Sequence, residues 1–406
     1  MPPAVASRKP RPNGLRGRRG RRLKRSLVRD PAGLKESWRA VLADLEVEVQ
    51  EIKRRGNETI VSVMYEDIER GLSEEQLKQL KKTGCIIVRG GVPKKEAAGW
   101  LEGLKQYIAA NHDKVKDAAR THPGLLKTQA YLLSLWHSSI DTPVSVRTPV
   151  SYFDRIRIRQ PGPSSFVLGP HIDGGSIERW EDPGLRKCFE RILEGGDSWR
   201  KHDPFDIAPR LSANQDLYNA PNQCTIFRPW QGWTALSRTS PGEGTLASSR
   251  SSRPRQPVVP REHAGMTQAL LPHLHPHLRL DETVVPIPTV EPGDQVYWHT
   301  DVVHAVEGEH RARANRLSFT SPRCPSQRRS DALYIRDQRE TFLKGLPAPD
   351  FPGGEGESRF VGRGTSEDVT TVEGRRTLGL EPFSYPPAAS EGERRMIDLA
   401  NNTLGF

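Results

Sequence analysis

The stretch "VLGPHIDGGSIERWED", residues 167–182, decides the fold. His171 and Asp173 stand one residue apart at the end of an apolar run, and Gly174 and Gly175 follow at once. One intervening residue is enough to aim both side chains at one ion when a strand ends in a tight glycine turn. The competing reading is a polar kink at a strand end that holds no metal. A second histidine downstream separates the two readings. In "EPGDQVYWHTDVVHAVEGEH", residues 291–310, a Pro-Gly-Asp turn opens a strand and His304 lies ten residues beyond Asp294. His171, Asp173 and His304 are the residue types of a two-histidine, one-carboxylate facial triad. Such a set holds Fe(II) from one side and leaves adjacent positions open. His299 is a rival third ligand, although five residues before His304 it would face the other side of a regular strand.

The flanking sequence has a strand texture. From about residue 145 onward, short apolar segments are separated by Pro and Gly turns, and Ile156 with Ile158, then Val296 with Trp298, alternate at period two. Short strands at such spacing suggest an antiparallel sandwich or barrel. The earlier part is helical. Leu34, Trp38, Val41, Leu42, Leu45, Val49 and Ile52 recur at three and four, the pattern of one buried helix face. A second helix is expected from Ser73, with Gln76 completing a capping box, to Gly84. A buried strand from Cys85 and an amphipathic helix through Trp100, Leu101, Leu104 and Ile108 follow. Helices first and strands second give an α+β chain with a jelly-roll core.

Charge is unevenly placed. The net charge is +11, yet residues 1–29 hold eleven Lys or Arg and no acid, so the remainder balances. This Gly-, Pro- and Arg-rich arm has little to bury and is expected to be disordered, a solvated tail or a contact for nucleic acid. No apolar run reaches the roughly 20 residues of a membrane helix, and the first residues show no apolar signal core. The expectation is no membrane and a cytoplasmic chain, with nucleus or mitochondrion left open by the arm. Cys85, Cys188, Cys224 and Cys324 lie far apart and read as free thiols.

At these residues a resemblance appears. "FDRIRIRQPGPSSFVLGPHIDGGSIERWEDPG", "FRPWQGWTALSRTSPGEGTL" and "GDQVYWHTDVVHAVEGEH" resemble the YbiU-like proteins of fungi and bacteria, a family assigned to the Fe(II)- and 2-oxoglutarate-dependent dioxygenases. The resemblance runs from about residue 33 to about residue 385. It implies a double-stranded β-helix (jelly-roll, cupin-like) core with N-terminal helices packed on it. His171, Asp173 and His304 would be the iron ligands, with 2-oxoglutarate and molecular oxygen as co-reactants. It implies an arginine for the distal carboxylate of the cosubstrate, a role that suits Arg316 with Ser318 two beyond, or else Arg155, Arg157 or Arg228. Trp230 and Trp233 could line the pocket or be ordinary barrel aromatics. The expected layout is a basic arm over 1–30, a mostly helical part over 31–145, the β-helix core over 146–325 and an extension over 326–406. The expected function is oxidation of a small-molecule substrate. The alternatives are oxidative demethylation or hydroxylation of nucleic acid or protein, and a degenerate jelly-roll that only binds.

Two stretches depart from the pattern. Residues 248–261 and 311–330 are dominated by Ser, Arg and Pro and read badly as strands. Both suggest shifted reading frames, a hypothesis that the genomic DNA tests; long polar insertions are the alternative. His273, His275 and His277 in "LLPHLHPHLRL" lack a carboxylate partner and read as loop histidines. "SPGEGT" resembles a phosphate loop but lacks its lysine.

Overall fold

The computed structural model describes residues 18–111, 122–152, 155–163, 168–218, 226–249, 268–311, 316–320, 323–326, 329–349 and 353–406. The long N-terminal helix, Pro31–Arg55, starts at Asp30, whose carboxylate accepts from the amides of Ala32 and Gly33 at 3.1 and 3.0 Å. Pro31 takes the first turn, where its missing N–H has no partner to lose. The buried face runs through Val41, Leu45, Val49 and Ile52, whereas Leu42, expected on that face, is exposed because it lies one residue round the helix from Val41. The helix Glu74–Thr83 carries the capping box of Ser73 and Gln76 and stops at Gly84, φ +65°. That left-handed glycine turns the chain directly into a strand.

The basic arm corrects one expectation. Residues Arg18–Leu27 form a helix rather than a disordered tail. Leu23 and Leu27, one turn apart, pack on Ile177, Trp180 and Leu193, so the body supplies apolar cover that the arm's own composition does not reveal. Residues 1–17 lie outside the described residues.

Strands are numbered in chain order. The larger sheet runs β1 (Val61–Met64), β2 (Cys85–Arg89), β11 (Gln295–His299), β7 (Trp230–Ala235), β14 (Arg316–Thr320) and β4 (Arg155–Arg159). Beside it, β3 (Ser145–Ser151) pairs with β15 (Arg323–Ser326), and β15 also touches β7. The smaller sheet runs β10 (Val284–Pro286), β8 (Leu246–Ser249), β12 (His304–Val306), β6 (His171–Ile172) and β9 (Gln268–Ala269). A two-stranded ribbon joins β13 (Glu309–His310) to β5 (Gly162–Pro163). Pairing is antiparallel except for β1 with β2. The architecture is mixed α+β with several sheets, and the mostly helical first part adds β1 and β2 to the larger one.

Alternation assigns the two faces of the larger sheet. Cys85, Ile87, Trp233, Ala235, Val296 and Trp298 turn inward and pack with Leu246, Ile287, Val290 and Val302 from the side of the smaller sheet. Ile86, Val88, Trp230 and Tyr297 face the other way, onto Leu132, Leu133, Trp136 and Phe205. Both faces are therefore covered, which explains why these strands read as continuous apolar runs.

The polar stretch 311–330 carries two strands after all, β14 and β15. β14 is paired on both sides, by β4 and by β7, so its ladder does not depend on a long apolar run. Helices Arg329–Lys344 and Glu391–Leu404 then cover Val150 and Tyr152. No helix among the described residues is long and apolar enough to cross a membrane.

Candidate metal centre

His304 and His171 are direct cross-strand partners of β12 and β6, so their side chains leave the same face of the smaller sheet. Their ring centroids are 4.2 Å apart. Asp173 follows β6 by one residue, and Gly174 and Gly175 adopt φ of +80° and +89°. A side chain at Gly174 would be strained by that φ and would meet the Gln215 Oε1 atom at 2.8 Å. The glycine turn swings the carboxylate back, and one ligand atom from each of His171, Asp173 and His304 lies within 4.8 Å of the other two. Among the described residues, no other group of three His, Cys, Asp or Glu side chains brings its ligand atoms together so closely.

The tautomers follow from the partners. The Nδ1 atom of His171 lies 2.7 Å from the Gly169 carbonyl and that of His304 lies 3.0 Å from the Val302 carbonyl. A carbonyl only accepts, so each Nδ1 carries the proton and each Nε2 presents a lone pair. Those lone pairs face the Asp173 carboxylate at 3.5 Å (His171) and 3.8 Å (His304). With both imidazoles neutral, three acceptor atoms converge on one point, which is the donor set that a divalent cation satisfies.

Burial pushes the Asp173 carboxyl up, but His304, Arg228 and His171, with a hydrogen bond from Gln231, hold it below the ordinary carboxylate value. Burial pushes the His304 imidazole down to about 4, with Asp173 opposing, so its lone pair stays available at neutral pH. The Arg228 Nη2 atom lies 4.0 Å from Asp173 Oδ2, and its guanidinium sits 5.4 Å over the Tyr152 ring. Ser248 pairs with His304 across β8 and so shares its face. Its hydroxyl and the Trp298 indole N–H, on a ring 5.1 Å from His304, are buried without a hydrogen-bond partner among the described residues.

The other expected residues divide. Trp233 belongs to the core between the sheets. Trp230 does not line it: three residues before Trp233 on one strand, it faces the helices and donates its indole N–H to the Leu132 carbonyl at 2.8 Å. Arg316 begins β14 opposite Arg159, and Arg155 and Arg157 lie in β4; the side chains of all three are outside the described residues. His299 is fully engaged elsewhere. Its Nε2 donates to the Pro204 carbonyl at 3.2 Å and its Nδ1 accepts from the Asp301 amide at 3.2 Å. Among the described residues, His275 and His277 join no such group.

Sequence reasoning missed Gln231, Arg179 and Asp301. Arg179 and Asp301 form a buried ion pair at 3.3 Å, and Arg210 binds the second carboxylate oxygen of Asp301. Burial opposes ionisation of Asp301, but Arg210, His299 and Arg179 hold its carboxyl far below the usual range. The "IER" that follows the glycine turn was the available signal, since a charged residue in an apolar turn needs a buried partner.

Fold and site together define a mixed α+β protein with a two-histidine, one-carboxylate cluster between facing sheets. The chain belongs to the Gig2-like family, whose model matches residues 15–251 and 248–380. It is 28% identical over 378 residues to YbiU of Escherichia coli (strain K12), covering 82% of this chain and 88% of that protein. The crystal structure of GlcNAc Inducible Gene 2, GIG2, from Candida albicans matches with a TM-score of 0.84 at 25% identity, over 95% of this chain and 94% of that one. A Salmonella typhimurium LT2 structure, provisionally described as an oxidoreductase, matches with a TM-score of 0.79 at 25% identity, over 88% and 96%.

Proposed function

We propose that this chain is a non-haem Fe(II)- and 2-oxoglutarate-dependent oxygenase acting on a small molecule, with His171, Asp173 and His304 as the iron ligands. The observation that carries the reading is the convergence of three acceptor atoms whose tautomers are fixed for metal binding. Two facing sheets with β6 and β12 as neighbours in the smaller one support a double-stranded β-helix. The provisional description of the Salmonella relative points in the same direction. Bound Fe(II) would supply open positions for a keto acid and for dioxygen.

The chain's own residues do the rest. Arg228, beside Asp173, offers a guanidinium to the cosubstrate carboxylate, and Arg316 in β14 is the other candidate. Trp233, Val296 and Leu246 exclude water from the space between the sheets. The Ser248 hydroxyl and the Trp298 indole N–H are donors for oxygens of a bound ligand.

Anaerobic protein mixed with Fe(II) and 2-oxoglutarate should develop the visible charge-transfer absorption of a chelated keto acid, and His171→Ala or Asp173→Ala should abolish it. Succinate release is then followed across a small-molecule panel. Wild-type protein that shows neither the band nor any succinate overturns the reading. A nucleic-acid substrate is the second reading, favoured by exposed Arg22 and Arg25 on the helix docked beside Ile177. Arg22→Glu with Arg25→Glu, which leaves Leu23 and Leu27 packed, should then abolish turnover of oligonucleotides while leaving the band intact.

A further inference from the structure

The turn that carries Asp173 and the turn that precedes His304 are joined by a charged pair that contributes no metal ligand. Arg179 is 4% exposed. It donates through Nε to the Gly175 carbonyl at 3.1 Å, through Nη2 to the Asp173 carbonyl, and through Nη1 to Asp301 Oδ1 at 3.3 Å. Asp301 is 3% exposed and lies three residues before His304. One guanidinium therefore brackets Gly174, from the carbonyl before it to the carbonyl after it, and ties both to the start of the other ligand strand.

The sheet alone does not fix this geometry. β6 is two residues long and meets β12 at the single pair His171 with His304, and Asp173 lies outside it. The glycines that follow have no side chains to pack. The planar fork of arginine suits such bracketing, whereas an ammonium offers a single charged point.

We propose that Arg179, anchored by Asp301, is a positioning residue that holds the Asp173 carboxylate in line with His171 and His304 before a metal arrives. The inference rests on the reading of those three residues as a divalent-metal site. Arg179 is more than a neutraliser of Asp301, because Arg210 independently binds the other Asp301 oxygen. Removing Arg179 leaves that carboxylate paired, so the fold should survive the loss better than the metal site does.

The test is titration of the full chain with Co(II), reading affinity and the visible d–d spectrum, alongside the melting temperature of metal-free protein. Wild type should bind one equivalent, and Asp173→Asn should lose most of that binding. Arg179→Met should weaken Co(II) binding by about 10–100-fold and alter the band shape at saturation. Arg179→Lys should fall between, because an ammonium reaches Asp301 without bracketing both carbonyls. Leu378→Ala, in the separate cluster with Phe342 and Val369, is the stability control: it should lower the melting temperature and keep wild-type affinity. Wild-type affinity and spectrum in Arg179→Met overturn the proposal. So does equal loss of affinity in Leu378→Ala at a matched melting temperature, which would make the effect general. If Arg179→Met fails to fold, Arg179→Lys decides alone, and wild-type affinity there is fatal. A wild-type chain that binds no Co(II) refutes the metal reading itself, a different result from any of these.

Discussion

Three histidines of similar burial have two different fates, and hydrogen-bond partners decide which. His171 and His304 spend Nδ1 on carbonyls two residues back and keep Nε2 free for Asp173. His299 spends both nitrogens and stacks on Trp136 at 4.8 Å with an interplanar angle of 3°. Burial pushes its imidazole down to about 4, against the opposing pull of Asp301. A depressed folded value means that the unfolded chain takes up the proton first as pH falls. The stability lent by neutral His299 is therefore whole above its ordinary value of about 6.5 and drains between there and about 4, by roughly 3 kcal/mol in all. His299→Gln should flatten the fall of unfolding free energy across that window, measured by urea denaturation at a series of pH values. An unchanged slope would assign acid sensitivity to other groups. The His171, Asp173 and His304 set was legible in the sequence because its residue types are rare in combination and a glycine turn accompanies them. Arg179 and Asp301 were not, since they stand 122 residues apart and only the topology makes them neighbours.

Elements were legible where local chemistry determines them and obscure where neighbours do. Ser73, Gln76 and Gly84 bound their helix from both ends, and the structure keeps those bounds. The strand β14 was hidden by its polar surroundings because its order comes from β4 and β7. The loop "SPGEGT" is the instructive intermediate. Its backbone amides do bind an anion, but the anion is internal: Glu307 accepts from Gly242 at 2.9 and 3.1 Å and from Thr245 at 2.9 Å. A carboxylate from the residue that follows β12 thus fills the cradle that a phosphate would need, and the missing lysine is no longer required. Glu307→Ala should leave these amides without their acceptor. The expected cost is about 1–2 kcal/mol, moderated by water reaching a partly exposed loop. Hydrogen exchange at residues 242 and 245 should accelerate in the variant, and unchanged protection there would mean that the backbone holds the loop unaided.

Across the whole molecule, the chain's last helix supports a layer next to the His171, Asp173 and His304 cluster. Met396, Ile397, Ala400 and Leu404 pack with Ala332, Ile335, Val150 and Tyr152, and Tyr152 lies beneath the Arg228 that faces Asp173. No periodicity in residues 391–404 could reveal that destination, although the amphipathic pattern is plain. What fastens the helix is Glu393, which closes a capping box with Ser390, accepts from Ser145 Oγ at 3.2 Å and pairs with Arg147. Burial raises its carboxyl, but Arg147, the Ser390 amide and Ser145 lower it further, for a net depression. The folded value lies below the unfolded one, so the contribution is complete above the ordinary carboxylate value and is lost as pH falls through the folded value. Glu393→Gln keeps the shape and one acceptor and removes the charge. Because Arg147 is partly exposed, the cost at pH 7 should be only about 1–2 kcal/mol. Once the pH falls below the depressed folded value the wild-type side chain is neutral as well, and the two proteins should converge. Urea midpoints of both at pH 7 and at progressively lower pH read this directly. A gap that stays constant would show that the helix is held by packing and capping alone, with the Arg147 pair idle.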